Sequence, residues 1–481
     1  MSQSMPSHNS SQTIHRQNSQ DEKTIIERGQ KWVFMATFMN YAMAHWTRKS
    51  YTNVKLSLVS AGVDPLTLAA MDSGFMFTYA LGSFITGQLG DHFSPVLVVG
   101  IGLLGSTICL MLIVYGASSW VVKSTAVCST WFLSSQLIHG LFQATGGPVN
   151  TAIMGNWYPA KGRGLMFGMW TCHQYVGDIT AALVSAWILN LGLDWRWCLV
   201  VPALANALWA VLILLTLPGS PDDVGVANQE TSDNNGGGDT VAIGFTRALL
   251  LPSVIPYALA FGFFKLVNYA MFFQLPMILT SHFSQSTANT ISALYSIGMM
   301  PGGVACGWLS DLYGGRRACV IATFMLTLCP LLLLLALYMD NMPASLLLIL
   351  LAVMGCMVGG PNNIITSAVA ADLSEDPSIR GSRKALGTVT GIINGAGSVT
   401  AAIGQMAIPV LASYGRDRGE GYRYVWLFLI VCTIAGTSLM GGRIHGELKG
   451  TLRTGERTPI VSTNREGYMA VNTEEGPSSQ L

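Results

Sequence analysis

The chemistry available to this chain is concentrated in Tyr41, His45, Arg48, Lys49 and Thr52, inside an apolar run that begins near Trp32 and is long enough to cross a bilayer. A cation in such a run is costly. Arg or Lys at the centre of a spanning helix is unfavourable by about 2.5–3.5 kcal/mol, so an intramembrane cation is a functional-site expectation by default. Read as a helix, Tyr41, His45, Arg48 and Thr52 share one face, because side chains three and four apart stack above one another. A guanidinium flanked by imidazole and hydroxyl groups makes an oxyanion-binding wall, since its planar fork grips two oxygens of one phosphate or carboxylate. The plainer alternative is that Arg48 and Lys49 snorkel from a helix end to the lipid headgroups.

An internal repeat points to a further cation. Gly87-Gln88-Leu89-Gly90-Asp91 is echoed by Gly307-Trp308-Leu309-Ser310-Asp311 at an offset of 220, and Gly146-Gly147-Pro148-Val149-Asn150 by Gly359-Gly360-Pro361-Asn362-Asn363 at 213. Advancing Arg48 by a similar 217 lands on Lys265, within Phe264-Lys265-Leu266-Val267-Asn268-Tyr269. Each half thus supplies one intramembrane cation at matching depth. Two cations facing a central cavity would hold a dianion such as a phosphate monoester, provided its oxygens satisfy the donors.

Other polar residues inside apolar runs leave alternatives open. Asp178 pairs with Lys265 or Arg48 in the absence of substrate, takes up a proton, or makes a structural hydrogen bond across helices. His173 donates to phosphate, titrates near neutral pH, or packs as a neutral ring. His139 and Gln143, four apart, read as interhelical polar glue. Asp311 with Arg316 and Arg317 reads as a latch on the cytosolic side, where glycine lets helices approach closely; Asp91 holds the same place in the first half without a basic neighbour. Pro148, Pro202, Pro276, Pro301, Pro330, Pro361 and Pro409 read as breaks in the helices of a protein that rocks.

Such residues need a membrane bundle to position them. The 481 residues are 51% hydrophobic and only 11% charged, where a soluble protein has about a quarter charged. Apolar runs recur at 32–52, 67–88, 95–115, 131–150, 165–189, 197–217, 252–279, 288–308, 318–338, 345–368, 386–411 and 424–442. The expected fold is an all-α polytopic membrane protein of twelve transmembrane helices in two pseudo-symmetric six-helix halves, related by an axis along the membrane normal. The expected division is a disordered tail 1–30, a half 31–217, a flexible linker 218–245, a half 246–443 and a disordered tail 444–481. Arg16, Lys23, Arg28 and Lys31 favour a cytosolic N-terminus, and an even number of spans returns the C-terminus to the same side. Lys161, Arg163, Arg380, Arg383 and Lys384 then fall inside, with Lys55, Lys123 and Arg196 in outside loops. No cleaved signal peptide is expected, and the sequon at Asn9 lies in the cytosolic tail.

Several function classes are excluded. A net charge of +1 without basic tails or aromatic–basic interleaving gives no sign of nucleic-acid binding. The nine cysteines show no ligand spacing and read as packing residues, so neither a metal nor a cofactor is expected. With no nucleophile–base pair on a loop and no phosphate-cradling Gly-Lys-Ser/Thr loop, the chain does not read as an enzyme.

The repeated Gly-x-Leu-x-Asp signature resembles that of the major facilitator superfamily. Within it the chain looks like the sugar-phosphate exchangers of solute carrier family 37, relatives of the organophosphate:phosphate antiporters. The likeness covers nearly the whole membrane part. It rests on His45-x-x-Arg48-Lys49 with Val54-Lys55, on Gly140-Leu141-Phe142-Gln143 through Pro148 to Trp157, and on Gly162-Arg163-Gly164-Leu165. It rests also on Trp170, His173 and Gly177, on Lys265-Leu266-Val267-x-Tyr269, on Ala385-Leu386-x-Thr388-Val389-Thr390 and on Gly397-Ser398-Val399.

The resemblance implies antiport of a phosphate monoester, of a sugar or of glycerol, against inorganic phosphate. It implies a phosphate held by Arg48 and Lys265, with Lys49, His173, His45, Tyr41 and Tyr269 around it, in an endoplasmic reticulum or other endomembrane. The chain departs from the usual pattern at Asp178, where Asn is usual, and at Asn394, where Asp is usual. These lie 216 apart, close to the repeat offset, as if the acid had changed halves. Gly147 and Ser296 also replace a usual Trp and Asp.

The first reading is therefore a rocker-switch exchanger for which a monomer suffices. The alternative is a proton-coupled organic anion symporter of the same superfamily, with Asp178 and His173 titrating; a non-transporting sensor is a third. Asp21-Glu22-Lys23-Thr24-Ile25-Ile26 and Tyr468-Met469-Ala470-Val471 look like endosomal sorting signals, which makes a lysosomal membrane the alternative location.

Overall fold

The computed structural model describes residues 8–118, 124–158, 166, 169–226, 245–374 and 385–450. They form α1 (His8–Asn53), α2 (Pro65–His92), α3 (Pro95–Ser118), α4 (Thr125–Gln143), α5 (Gly146–Trp157), α6 (His173–Asn190) and α7 (Trp197–Thr216), then α8 (Val254–Leu279), α9 (Gln285–Leu312), α10 (Arg317–Tyr338), α11 (Ala344–Ile364), α12 (Ala385–Asp417), α13 (Arg423–Leu439) and α14 (Gly441–Leu448). Counting α4 and α5 as one broken span, α1 to α13 make the twelve transmembrane helices. Among the described residues, α3, α7, α8, α10, α11 and α12 are long and apolar enough by themselves to cross a membrane. The others bring polar groups inward: α1 buries His45, Arg48 and Lys49, α2 buries Asp72, α6 buries His173 and Asp178, and α9 buries Asn289 and Ser292.

The packing repeats as the sequence does. In the first half α1 lies on α6, α2 on α4 and α3 on α7; in the second, α8 lies on α12, α9 on α11 and α10 on α13. The halves meet where α2 packs on α12 and α6 on α9, again a symmetric pair of contacts. The outer helices turn apolar side chains outward, among them Ile101, Ile108, Leu208, Leu215 and Leu326, the arrangement that lipid as solvent favours. Close approach of α9 and α11 depends on missing side chains: a Cβ at Gly298 would lie 1.9 Å from the Ala352 carbonyl oxygen.

Several expectations need correction. α1 starts at His8 rather than near residue 31; no Pro or Gly stands between His8 and Arg28 to stop it. The C-terminal tail is helical to Leu448, because Glu447 caps α10, accepting from the amides of Ala318 and Cys319 at 3.0 and 2.9 Å. Helices run through Pro202, Pro276, Pro301, Pro330, Pro361 and Pro409, and the one near Pro148 sits in the first turn of α5, where a missing amide costs nothing. The break in the fourth span falls at Ala144-Thr145 instead, and a π-helical turn at Ile365–Val369 follows Pro361.

Of the latch residues, Arg317 carries the contacts. It donates to Asp372 and to Ser310 Oγ at 2.9 Å, and pairs with Asp311 at 3.5 Å. Arg316 is exposed and makes no ion pair among the described residues. The Asp91 side chain, most of the linker, the loop with Lys161 and Arg163, and Tyr468 lie outside the described residues.

Candidate anion-binding site

α1 delivers the first-half cation by burying its polar stripe rather than ending beneath the headgroups. Arg48 is 2% exposed and Lys49 3%, so neither snorkels. Arg48 Nη1 donates to the hydroxyl of Tyr269 on α8 at 3.1 Å, and Nη2 to Gln143 Oε1 on α4 at 3.2 Å. Its guanidinium lies 5.0 and 4.8 Å from the ring centroids of Phe75 and Tyr79, where the π faces favour a cation. Its Nε meets no partner among the described residues. Gln143 also donates to Thr47 Oγ1 at 2.9 Å, so it orients Arg48 as well as joining helices.

Lys265 comes from α8 and is 4% exposed. Its Nζ donates to Asn394 Oδ1 at 2.6 Å and Ser398 Oγ at 2.8 Å on α12, and lies 5.6 Å from the Tyr269 ring. Tyr269 thus touches both cations. Lys49 diverges from them: its Nζ donates to the Phe272 carbonyl at 2.5 Å.

The acid on α6 takes a partner that the sequence did not indicate. Asp178 accepts from His45 Nδ1 at 3.0 Å, not from Arg48 or Lys265. Gly177 makes that contact possible, because a Cβ there would lie 2.3 Å from the Ala42 carbonyl oxygen. Tyr41 stacks on His45 at 5.2 Å and lies 4.2 Å from the tilted His173 ring, and its hydroxyl lies 3.2 Å from that of Tyr79. His173 is wedged between Tyr41 and Trp170, with neither ring nitrogen hydrogen-bonded among the described residues. A buried polar group without a partner is costly, which fits a donor held ready for a guest.

Lys55, expected in an outside loop, is 2% exposed. It pairs with Asp72 at 2.5 Å and donates to the Phe273 carbonyl at 2.9 Å, while Gln274 donates to Asp72 at 2.9 Å. Nearby, Gln285 and Asn289 donate to the Asn53 carbonyl at 2.8 and 3.2 Å, so these bonds tie the halves beyond the cations. Asp72 was legible in principle, since an acid inside an apolar run draws the same attention as Asp178. An apolar surface groove lined by Leu112, Thr130, Trp131 and Ile138 lies elsewhere, between α3 and α4.

The profile of the Major Facilitator Superfamily matches residues 33–405. Over 461 residues the chain is 32% identical to "Sugar phosphate exchanger 3" of Bos taurus, covering 83% of this chain and 90% of that protein. It is 33% identical over 434 residues to "Putative glycerol-3-phosphate transporter 3" of Arabidopsis thaliana, covering 82% of each. Among solved structures it is similar to a bacterial homolog of the human lysosomal transporter Spinster, inward-facing and unoccupied, with a TM-score of 0.67, 15% identity, and coverage of 88% of this chain and 98% of that one. At that identity the last likeness speaks to the fold alone.

Proposed function

The chain belongs to the major facilitator superfamily, among the sugar-phosphate exchangers, and on that premise we propose that it exchanges phosphate monoesters of a sugar or glycerol for inorganic phosphate. The observation that carries this reading is the charge balance of the interior. Among the described residues, the buried cations Arg48, Lys49, Lys55, Lys265 and Arg317 stand against the buried acids Asp72, Asp178 and Glu447, an excess of two positive charges. A phosphate dianion neutralises that excess, and the unspent Arg48 Nε and the one N–H of the neutral His173 ring offer further donors.

Exchange follows from electrostatics. With no guest, Arg48 and Lys265 repel each other across Tyr269 in a low-dielectric setting, which raises the barrier to the transition between outward and inward states. A bound phosphate removes the repulsion and lets the halves rock about the site, so the carrier returns only when loaded. Reconstitution into vesicles tests it: uptake of labelled phosphate should require phosphate or a phosphate ester inside, and uptake into empty vesicles at the same rate would reject exchange.

The buried His45–Asp178 pair supports one other reading, proton-coupled symport of an organic anion. Uptake driven by a pH step alone, without internal phosphate, separates the two. We place both termini in the cytosol and the protein in an endomembrane, the endoplasmic reticulum before the lysosome; tagged termini probed before and after selective permeabilisation test this.

A further inference from the structure

The two cations stand in unlike surroundings. Around Arg48 the walls are aromatic, Phe75 and Tyr79. On the second-half side, Asn268 lies one turn from Lys265 on the same face of α8. Its Nδ2 is 3.5 Å from Asn362 Oδ1 on α11, and its Oδ1 accepts from the Tyr295 hydroxyl at 3.1 Å. Next in sequence, Asn363 Oδ1 accepts from the Tyr175 hydroxyl at 2.8 Å and from Gln174 Nε2 at 3.2 Å, both on α6. Asn268, Asn362, Asn363 and Gln174 are all only part-buried, and the Nδ2 groups of Asn362 and Asn363 donate to nothing among the described residues. The repeat-related positions in the first half hold Tyr51, Val149 and Asn150, of which Tyr51 and Val149 are buried in apolar clusters.

We propose that this amide cluster, Asn268, Asn362 and Asn363 with Gln174 and Tyr175, is the subsite for the hydroxylated body of the substrate, and that it selects polyol phosphates over phosphate esters without hydroxyls. The inference rests on the exchange reading above and adds the side of the site on which the body lies. A hydroxyl both donates and accepts, and a carboxamide offers both functions without charge. Such a site discriminates against an analogue lacking hydroxyls, because its amides are then left unpaired. Cations alone bind any phosphate; the amides supply the selection.

The experiment uses the full chain in vesicles loaded with inorganic phosphate, with labelled phosphate uptake competed by glycerol 3-phosphate, a hexose 6-phosphate or propyl phosphate. The readout is the ratio of half-inhibitory concentrations, propyl ester over polyol ester, which does not depend on how much protein folds. The unaltered protein should favour the polyol esters at least tenfold, and Asn363→Ala and Tyr175→Phe should each lower the ratio at least threefold. A ratio near one in the unaltered protein, or an unchanged ratio in both variants, overturns the subsite while leaving exchange intact. Absence of phosphate exchange in the unaltered protein overturns both readings.

Discussion

Arg48 of the first half and Tyr269 of the second share a 3.1 Å hydrogen bond, and the same tyrosine ring lies 5.6 Å from Lys265. A single phenol therefore separates the two cations that the repeat brings into register. A phosphate entering there would replace a neutral hydroxyl with charged oxygens, a stronger partner for both.

Arg48→Lys should lower the exchange rate at least tenfold, because lysine keeps the charge but loses the planar fork and the bond geometry to Tyr269 and Gln143. Tyr269→Phe should be milder, raising the half-saturating phosphate concentration by a few-fold. Near-normal exchange by Arg48→Lys, measured with labelled phosphate in vesicles, would argue against bidentate binding.

The Lys55–Asp72 pair is fully buried, so removing one partner strands a charge. Asp72→Asn should lower stability by about 3–5 kcal/mol, whereas Lys55→Met with Asp72→Leu should recover most of it. Thermal unfolding of the purified protein in detergent measures both. Because Gln274 and the Phe273 carbonyl join the pair across the halves, the double variant should also shift the balance of conformations, read as altered labelling of a cysteine placed beside Gln285.

Asp178 bonds His45 on α1, while Asn394 bonds Lys265 on α8. Asp178→Asn should impair exchange by removing the carboxylate that bonds His45 beside Arg48. Adding Asn394→Asp should restore it, since the acid then sits on Lys265 and the net charge is preserved. Full activity of the single variant would rule out the idea that the acid has changed halves to serve coupling.

Gly177→Ala places a methyl 2.3 Å from the Ala42 carbonyl oxygen and 2.7 Å from His45 Cβ. Backbone has to move, so α6 should shift from α1 at a cost of about 1–3 kcal/mol. The expected signs are a lower unfolding temperature and a loss of exchange resembling that of Asp178→Asn. An unchanged unfolding temperature would contradict the close packing described.

The sequence by itself determined the class, the twofold internal repeat and the positions of the two cations. Each of those is carried by local signals: apolar runs of bilayer length, a motif recurring at a near-constant offset, and a charge where a charge is expensive. It did not determine who bonds whom. That Asp178 meets His45, that Lys55 turns inward to Asp72, and that Gln143 and Tyr269 hold Arg48 depend on the rotation and crossing of helices far apart in the chain. Those are decided by how glycines such as Gly177 and Gly298 let backbones close up. Helix ends also differ from expectation, at His8, at Ala144-Thr145 and at Leu448: no Pro or Gly interrupts the polar segment from His8, the fourth span breaks ahead of Pro148, and the turn before Leu448 is held by the Glu447 cap on α10. Residues at a given depth were legible from spacing; their partners were a property of packing alone.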